Sequence, residues 1–204
     1  MRSLTRKGAA TRQRILEGAA THIREFGVPA TTLDDILART STSKSQLFHY
    51  FPGGREELLL AVARLEAGRV LEDQRPQLDS LTSWPAWQAW RDRVVERYRQ
   101  QGHLCALNSV TSHLGASTPG AQAVVTELMR RWQHEIAAGV RHMQSIGEID
   151  PGLDPDRAAA GLLAGIQGGV LIQMSTGETT HLEAALDLGI AHLRDSGTRD
   201  RSDQ

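Results

Sequence analysis

Apolar residues recur at helical spacing along almost the whole chain, and strand-type alternation is nearly absent. That pattern restricts the fold to packed α-helices. Thr11 to Phe26 sets Ile15, Ala19, Ile23 and Phe26 on one stripe, and Gly27 supplies a left-handed stop. Thr32 is placed as an N-cap, with Asp34 and Asp35 in the first turn where the helix dipole favours acids. Leu33, Ile36 and Leu37 give this second helix an apolar face, and it ends near Thr40. Ser41 and Thr42 make a short turn, Ser43 caps a third helix over Lys44–Phe51, and Pro52-Gly53-Gly54 ends it. A long fourth helix follows over about Arg55–Gln74, with Pro76 as a domain boundary. Further helices are expected over Trp84–Gln101, Leu104–Leu114, Gly120–Ile146, Pro155–Met174 and Thr179–Asp195, with a polar, frayed tail from Ser196 to Gln204.

Charge is unevenly distributed. The net charge of the 204 residues is −1, but residues 1–50 hold eight Lys and Arg against four Asp and Glu, which makes that segment +4 and the remainder −5. A basic head on an acidic body suits a head that meets phosphates, and a solvated basic surface is the alternative. Cys105 is the single cysteine, so no intramolecular disulfide forms and a reducing, cytoplasmic compartment is expected. The N-terminal residues carry positive charge without an apolar run, unlike a signal peptide. Ala158–Met174 lacks charges, but Gln167 and Gln173 interrupt it and it is short for a membrane span, so a buried helix is expected and no membrane partner.

The stretch "TSTSKSQLFHYFPGG", Thr40 to Gly54, concentrates chemistry in a chain with only 4% aromatic residues. Wound at 100° per residue, it divides in two. Leu47, Tyr50 and Phe51 fall together and can pack on the first two helices, while Lys44, Ser45, Phe48 and His49 share the opposite face. Gln46 sits at the border between them. A helix, a short turn and a second helix with a small, polar, cationic outer face form an arrangement that fits a DNA major groove. Such side chains suit phosphate and base-edge contacts, and the aromatic can lie on the backbone or a thymine methyl.

The run "TRQRILEGAATHIREFGVPATTLDDILARTSTSKSQLFHYFPGGREELLLAV" closely resembles the N-terminal domain of TetR-family transcriptional repressors. The resemblance rests on Phe26-Gly27, Thr31-Thr32, Ile36, Ser43-Lys44, Leu47 and His49-Tyr50-Phe51, followed by a leucine-rich helix. More weakly, "GHLCALNSV" and "GEIDPGLDPDRAAAGLLAGIQGGVLI" resemble the LmrA-like branch. Three positions depart from the family pattern. Ser41-Thr42 stands where Gly-Val is usual, so side-chain hydrogen bonds are expected to hold the turn. Phe48 replaces a common tyrosine, and two glycines precede Arg55 where one small residue and a lysine are common.

The resemblance implies an all-α protein with a three-helix DNA-binding domain (1–54), a connecting helix (55–75), an effector-binding and dimerising bundle (76–195) and a tail (196–204). Its implied partners are a double-stranded, palindromic operator, a second copy of the chain, and a small apolar effector that releases the DNA. Candidate DNA-contacting residues are Thr32, Thr42, Ser43, Lys44, Ser45, Gln46, Phe48, His49, Tyr50 and Arg55. Thr32, Ser43 and Ser45 can serve as helix caps, phosphate ligands or both.

Trp84, Trp87 and Trp90 recur every three residues on one helix side, which suits core packing or an aromatic wall for a flat ligand. Asn108, Met129, Trp132 and Gln167 are further candidates for such a pocket. A four-helix subunit interface is expected from the last two helices, through Leu162, Gly165, Ile166, Gly169, Val170, Leu186, Ile190 and Leu193.

No metal or cofactor site is expected, because the eight histidines form no His-x-x-x-His pair and no Cys/His cluster. The glycines of "AGLLAGIQGGV" have no strand before them and suit close helix packing instead of a phosphate cradle. Cys105 is expected to act as a small buried hydrophobe more than as a redox sensor. The rival readings are an enzyme or a helical binding module without a DNA role. No convergent acid, base or nucleophile set supports the enzyme. Repression and activation both remain open.

Overall fold

Capping sets the register of the first three helices. In a computed structural model describing residues 5–102, 105–115 and 118–199, α1 spans Arg6–Phe26 and starts where the Thr5 hydroxyl accepts from the Gly8 N–H. That is five residues before the first clear apolar repeat, in a polar stretch that hydrophobic periodicity does not mark. Gly27, at φ 76°, ends α1 with its N–H on the Ile23 carbonyl. Helices α2 (Leu33–Thr40) and α3 (Lys44–Tyr50) each begin with a reciprocal capping box, Thr32 with Asp35 and Ser43 with Gln46. The Thr32 hydroxyl and backbone N–H hold the Asp35 carboxyl below its ordinary pKa.

Six further helices follow among the described residues: α4 (Gly54–Glu72), α5 (Trp84–Gln101), α6 (Ala106–Leu114), α7 (Pro119–Ser145), α8 (Pro155–Thr176) and α9 (Thr180–Arg199). A single 3₁₀ turn over Gln77–Ser80 lies between α4 and α5. All described regular structure is helical.

These elements gather into two compact units: residues 5–69 with 105–126, and 70–102 with 127–199. The division differs from the boundary expected at Pro76. Helix α6 and the first turns of α7 group with the head, so α4 and α7 each run from one unit into the other. In the first unit, Ile15, Ala19, Ile23, Ile36, Leu47, Phe51, Leu58 and Val62 form the core. Glu66, nearly buried, accepts from Arg24 at 2.5 Å and from Arg69 at 2.6 Å, and Arg69 also pairs with Glu17, which ties α1 to α4. In the second unit, Trp87, Trp90, Val94, Trp132, Ile136, Ile166, Leu182 and Leu186 are buried.

Helices α8 and α9 approach through glycines. A methyl group added at Gly169 would stand 2.5 Å from the Leu182 Cα, and one at Gly165 would stand 3.2 Å from the Ala185 Cβ. The glycine-rich segment is therefore helix packing, as its spacing predicts. By length and composition α8 could cross a membrane, with a mean hydropathy of 1.4, but its inner side packs on α9 within this unit. Helix α9 continues four residues beyond the expected Asp195 to Arg199. Ser196 bonds the Leu193 carbonyl, and Gly197 lies against the backbone of Glu148, so this part of the expected tail is helix. The rest, residues 200–204, lies outside the described residues.

Candidate nucleic-acid interface

The turn between α2 and α3 shows how this chain manages without the family's glycine. Ser41 adopts the left-handed conformation, φ 50° and ψ 46°, and the Thr42 N–H donates to the Leu37 carbonyl at 3.2 Å. Thr40 and Thr42 share a hydroxyl hydrogen bond of 2.7 Å, and Thr40 donates on to the Ile36 carbonyl. Side-chain bonds thus hold the turn, at the cost of one non-glycine residue in left-handed space. Ser41→Gly is expected to raise stability by about 0.5–1 kcal/mol in denaturant unfolding, with the fold unchanged. Equal or lower stability would show that the turn stores no such strain.

Helix α3 divides as its periodicity predicts. Leu47 and the following Phe51 are fully buried, while Lys44, Ser45, Gln46, Phe48 and His49 are exposed. Tyr50 is half-buried and meets the His49 ring edge-on at 4.8 Å. Arg12 lies 5.0 Å from the Phe51 ring centroid, which anchors α1 to the end of α3. Phe48 is 40% exposed, and its ring closes over Gly54, where an added methyl would stand 3.2 Å from its Cε1. Gly54 also holds φ at 64°. This explains the second glycine: it supplies both the backbone turn and the space beneath Phe48.

Five of the expected DNA-contacting groups are engaged within the protein. Thr42 is buried, with its hydroxyl on Thr40. Thr32 and Ser43 are exposed caps, with oxygens facing Asp35 and the Gln46 N–H. Arg55 departs most from expectation. Its guanidinium donates to the Val28 carbonyl at 3.0 Å and the Thr31 carbonyl at 3.3 Å, and meets His113 Nε2 at 2.9 Å. It clamps the α1–α2 connection to α4 and α6 and is not a free cation at the surface. Gln46 Oε1 accepts from the Ser43 N–H at 3.0 Å, so Gln46 helps cap the helix it was expected to project from. His113, the partner of Arg55, was not anticipated, because only the fold brings positions 58 residues apart together.

In the second unit the expected pocket residues separate. Trp87, Trp90 and Trp132 are fully buried, and the first two meet edge-to-face with ring centroids 5.7 Å apart. Trp90 donates its indole N–H to Gln74 Oε1 at 2.9 Å. Trp84 instead stands half-buried, donating to Glu148 at 2.8 Å with Arg194 over its ring, so it ties α5 to the segment after α7 and to α9. Met129 and Gln167 are half-buried. Asn108 is exposed on α6 in the first unit, where Cys105 caps the helix by accepting from the Asn108 N–H.

The residues expected at a subunit interface are used within one chain. Leu162, Ile166, Gly169, Val170, Leu186, Ile190 and Leu193 are buried, and Gly165 faces Ala185. A helix apolar on all sides gives no phase from sequence, and within one chain these residues lie on its inward side. The side left open carries Ala164, Gly168, Leu171 and Ile172 on α8, with Ala184 and Leu188 on α9. Leu171 and Leu188 are 65% and 73% exposed. Among the described residues no group of three or more His, Cys, Asp or Glu is placed to hold a metal ion.

Comparison with known proteins bears on both halves. Residues 15–62 match the family described as bacterial regulatory proteins, tetR family, and residues 85–188, half of the chain, match the tetracyclin repressor-like C-terminal domain. The C-terminal match does not single out the LmrA-like branch. An uncharacterised HTH-type transcriptional regulator of Mycobacterium tuberculosis is 31% identical over 93 residues, which cover 44% of this chain and 43% of that protein. The transcriptional repressor AcnR of Corynebacterium efficiens is 39% identical over 66 residues, covering 32% of this chain and 35% of AcnR. The match thus spans less than half the length of either relative.

Among solved structures, a TetR-family regulator from Cytophaga hutchinsonii superposes with a TM-score of 0.75 at 18% identity, covering 94% of this chain and 98% of that one. A SmeT–triclosan complex superposes at 0.67 and 21% identity, covering 92% and 94%. SmeT is the repressor of a Stenotrophomonas maltophilia multidrug efflux pump. These likenesses share the fold alone. With both halves matched and a helix-turn-helix whose second helix presents a polar face over a buried one, the chain belongs to the TetR family of transcriptional regulators, which are not enzymes.

Proposed function

We propose that the protein is a dimeric, cytoplasmic repressor that reads a two-fold symmetric operator through α3 and leaves it when a small apolar effector enters the second unit. The observation that carries the DNA reading is α3 itself, with Lys44, Ser45, Phe48 and His49 outward over buried Leu47 and Phe51. Lys44 is an exposed cation suited to phosphate. His49 can reach base edges, and Gln46 can do so if its capping bond to Ser43 is exchanged for a base. Thr32, Ser43 and Ser45 supply phosphate-facing groups at or near the starts of α2 and α3. Arg55 is assigned a structural role, because its Nη2 donates to two carbonyls and its Nη1 meets His113 Nε2.

Dimerisation is supported by the open face of α8 and α9. Leu171 and Leu188 are too exposed for a monomer surface to carry without penalty, and the small residues Ala164 and Gly168 lie on the same side. Two copies pairing through this face form the four-helix interface expected for the fold. The effector reading is supported by the tryptophan-rich core of the second unit and by a neighbour of the same fold characterised with triclosan.

The test is a salt titration of DNA binding. Lys44→Ala is expected to weaken specific and random duplexes alike and to lower the salt slope by about one unit. His49→Ala is expected to relax preference at particular base pairs, by about 1–3 kcal/mol where a good contact is lost. Wild-type affinity, slope and preference in both variants would rule out this docking face.

A further inference from the structure

The second unit holds a contrast between its tryptophans. Trp84 and Trp90 give their indole N–H groups to Glu148 and Gln74, at 2.8 and 2.9 Å. Trp87 and Trp132 are each fully buried, and among the described residues neither indole nitrogen has a hydrogen-bond partner. Buried polar groups are almost always paired, and an unpaired one costs about 1–3 kcal/mol. Gln77 Oε1, Gln101 Nε2 and Gln173 Oε1 are also unpaired, but a carboxamide can rotate toward a partner. An indole N–H is donor-only, on a ring locked by packing. The two tryptophans therefore each present a fixed donor for which the described chain supplies no oxygen or nitrogen acceptor.

The surroundings fix the charge of that molecule. Among the described residues the only buried Asp, Glu, Lys, Arg or His is Glu66, which belongs to the first unit. A cation entering the core of the second unit would find no buried carboxylate, and an anion no buried Lys, Arg or His. Either would be desolvated without a counter-charge. Beside Gln74 and Gln173, the buried side chains of this unit are chiefly aromatic and aliphatic, Trp90, Val94, Ile136 and Val140 among them.

We propose that the effector is an uncharged aromatic molecule bearing carbonyl- or ether-type acceptor oxygens, which bind the indole N–H groups of Trp87 and Trp132. The inference rests on the reading of this unit as the effector-binding one and narrows its ligand to a chemical class. An acceptor oxygen separates cognate molecules from equally flat hydrocarbons. A site that must satisfy buried donors rejects analogues lacking the acceptor, whereas a purely apolar wall does not.

The experiment uses matched ketone and hydrocarbon probes: fluorenone with fluorene and anthraquinone with anthracene, alongside the cation tetraphenylphosphonium. Binding to the 204-residue protein is followed by ¹⁵N–¹H spectra of the four indole groups, assigned by single Trp→Phe variants. At least one ketone is expected to bind about tenfold more tightly than its hydrocarbon, the equivalent of one good hydrogen bond. It should move the Trp87 or Trp132 indole proton downfield, while Trp84 and Trp90 stay in place. Trp87→Phe or Trp132→Phe is expected to erase the ketone preference with hydrocarbon binding retained. Equal affinity for ketone and hydrocarbon would overturn the acceptor inference and leave the apolar effector site standing. So would ketone binding that moves only the Trp84 or Trp90 signal. Preference for the phosphonium would overturn the assigned charge, and failure of every probe to bind would remove the effector reading along with the inference.

Discussion

Leu171→Asp combined with Leu188→Asp is expected to convert the protein to a monomer at micromolar concentration and to abolish tight operator binding. Both leucines stand well out of the single chain, at 65% and 73% exposure, so their loss leaves each subunit folded. In the proposed dimer each leucine occurs twice, and burying one contributes about 1.5–3 kcal/mol. Replacing all four with carboxylates removes that contribution and buries like charges near one another. A monomer holds a half-site without its tether, so operator affinity should fall by about 10²–10⁴-fold, the usual gain from linking two sites. Sedimentation and DNA titration check the two effects together. A variant that stays dimeric would place the interface elsewhere, and a wild-type chain that is monomeric at the same concentration would contradict the dimer. Gly165→Leu is a poor test of the interface because Gly165 faces Ala185 of its own chain.

Gly169→Leu is expected to destabilise the second unit by about 3 kcal/mol or more. The added Cβ would meet the backbone of α9, at 2.5 Å from the Leu182 Cα and 2.8 Å from its nitrogen. A flexible neighbour could move aside, but backbone cannot, so the two helices must separate along a face that also buries Leu186 and Ile166. Gly68→Ala in α4 is the matched control, because among the described residues nothing beyond the helix's own backbone would lie within 4 Å of the added Cβ. It should stabilise by up to about 1 kcal/mol, the helix propensity difference alone. Thermal or denaturant unfolding of the two variants distinguishes packing from propensity. Similar small effects in both would mean that α8 and α9 are not held at this separation.

Sequence made the helical fold legible because capping residues and glycine stops act locally. Thr32, Ser43, Gly27, Gly102 and Gly177 each sit at the helix end their chemistry predicts. The split of α3 was legible for the same reason, since one helix turn decides it. What escaped depends on contacts between distant positions. Arg55 reads as a surface cation until the fold sets Val28, Thr31 and His113 around it. The hydrophobicity of α8 announces burial on more than one side, but only packing against α9 chooses Ile166 as inner and Leu171 as outer. Likewise Trp84, Trp87 and Trp90 share a spacing yet differ in role, because Glu148 and Arg194 hold Trp84 at the surface while Gln74 receives Trp90 inside.

The most direct measurement of the central claim is selection of bound sequences from a random pool of duplex DNA by the wild-type protein and by its Lys44→Ala, His49→Ala double variant. A dimer reading through α3 should enrich a two-fold symmetric site, with half-site centres about 34–36 Å apart or a multiple of that spacing. The double variant should enrich it weakly or not at all. Enrichment of no sequence by the wild type, or of the same site with equal strength by the variant, would contradict the account.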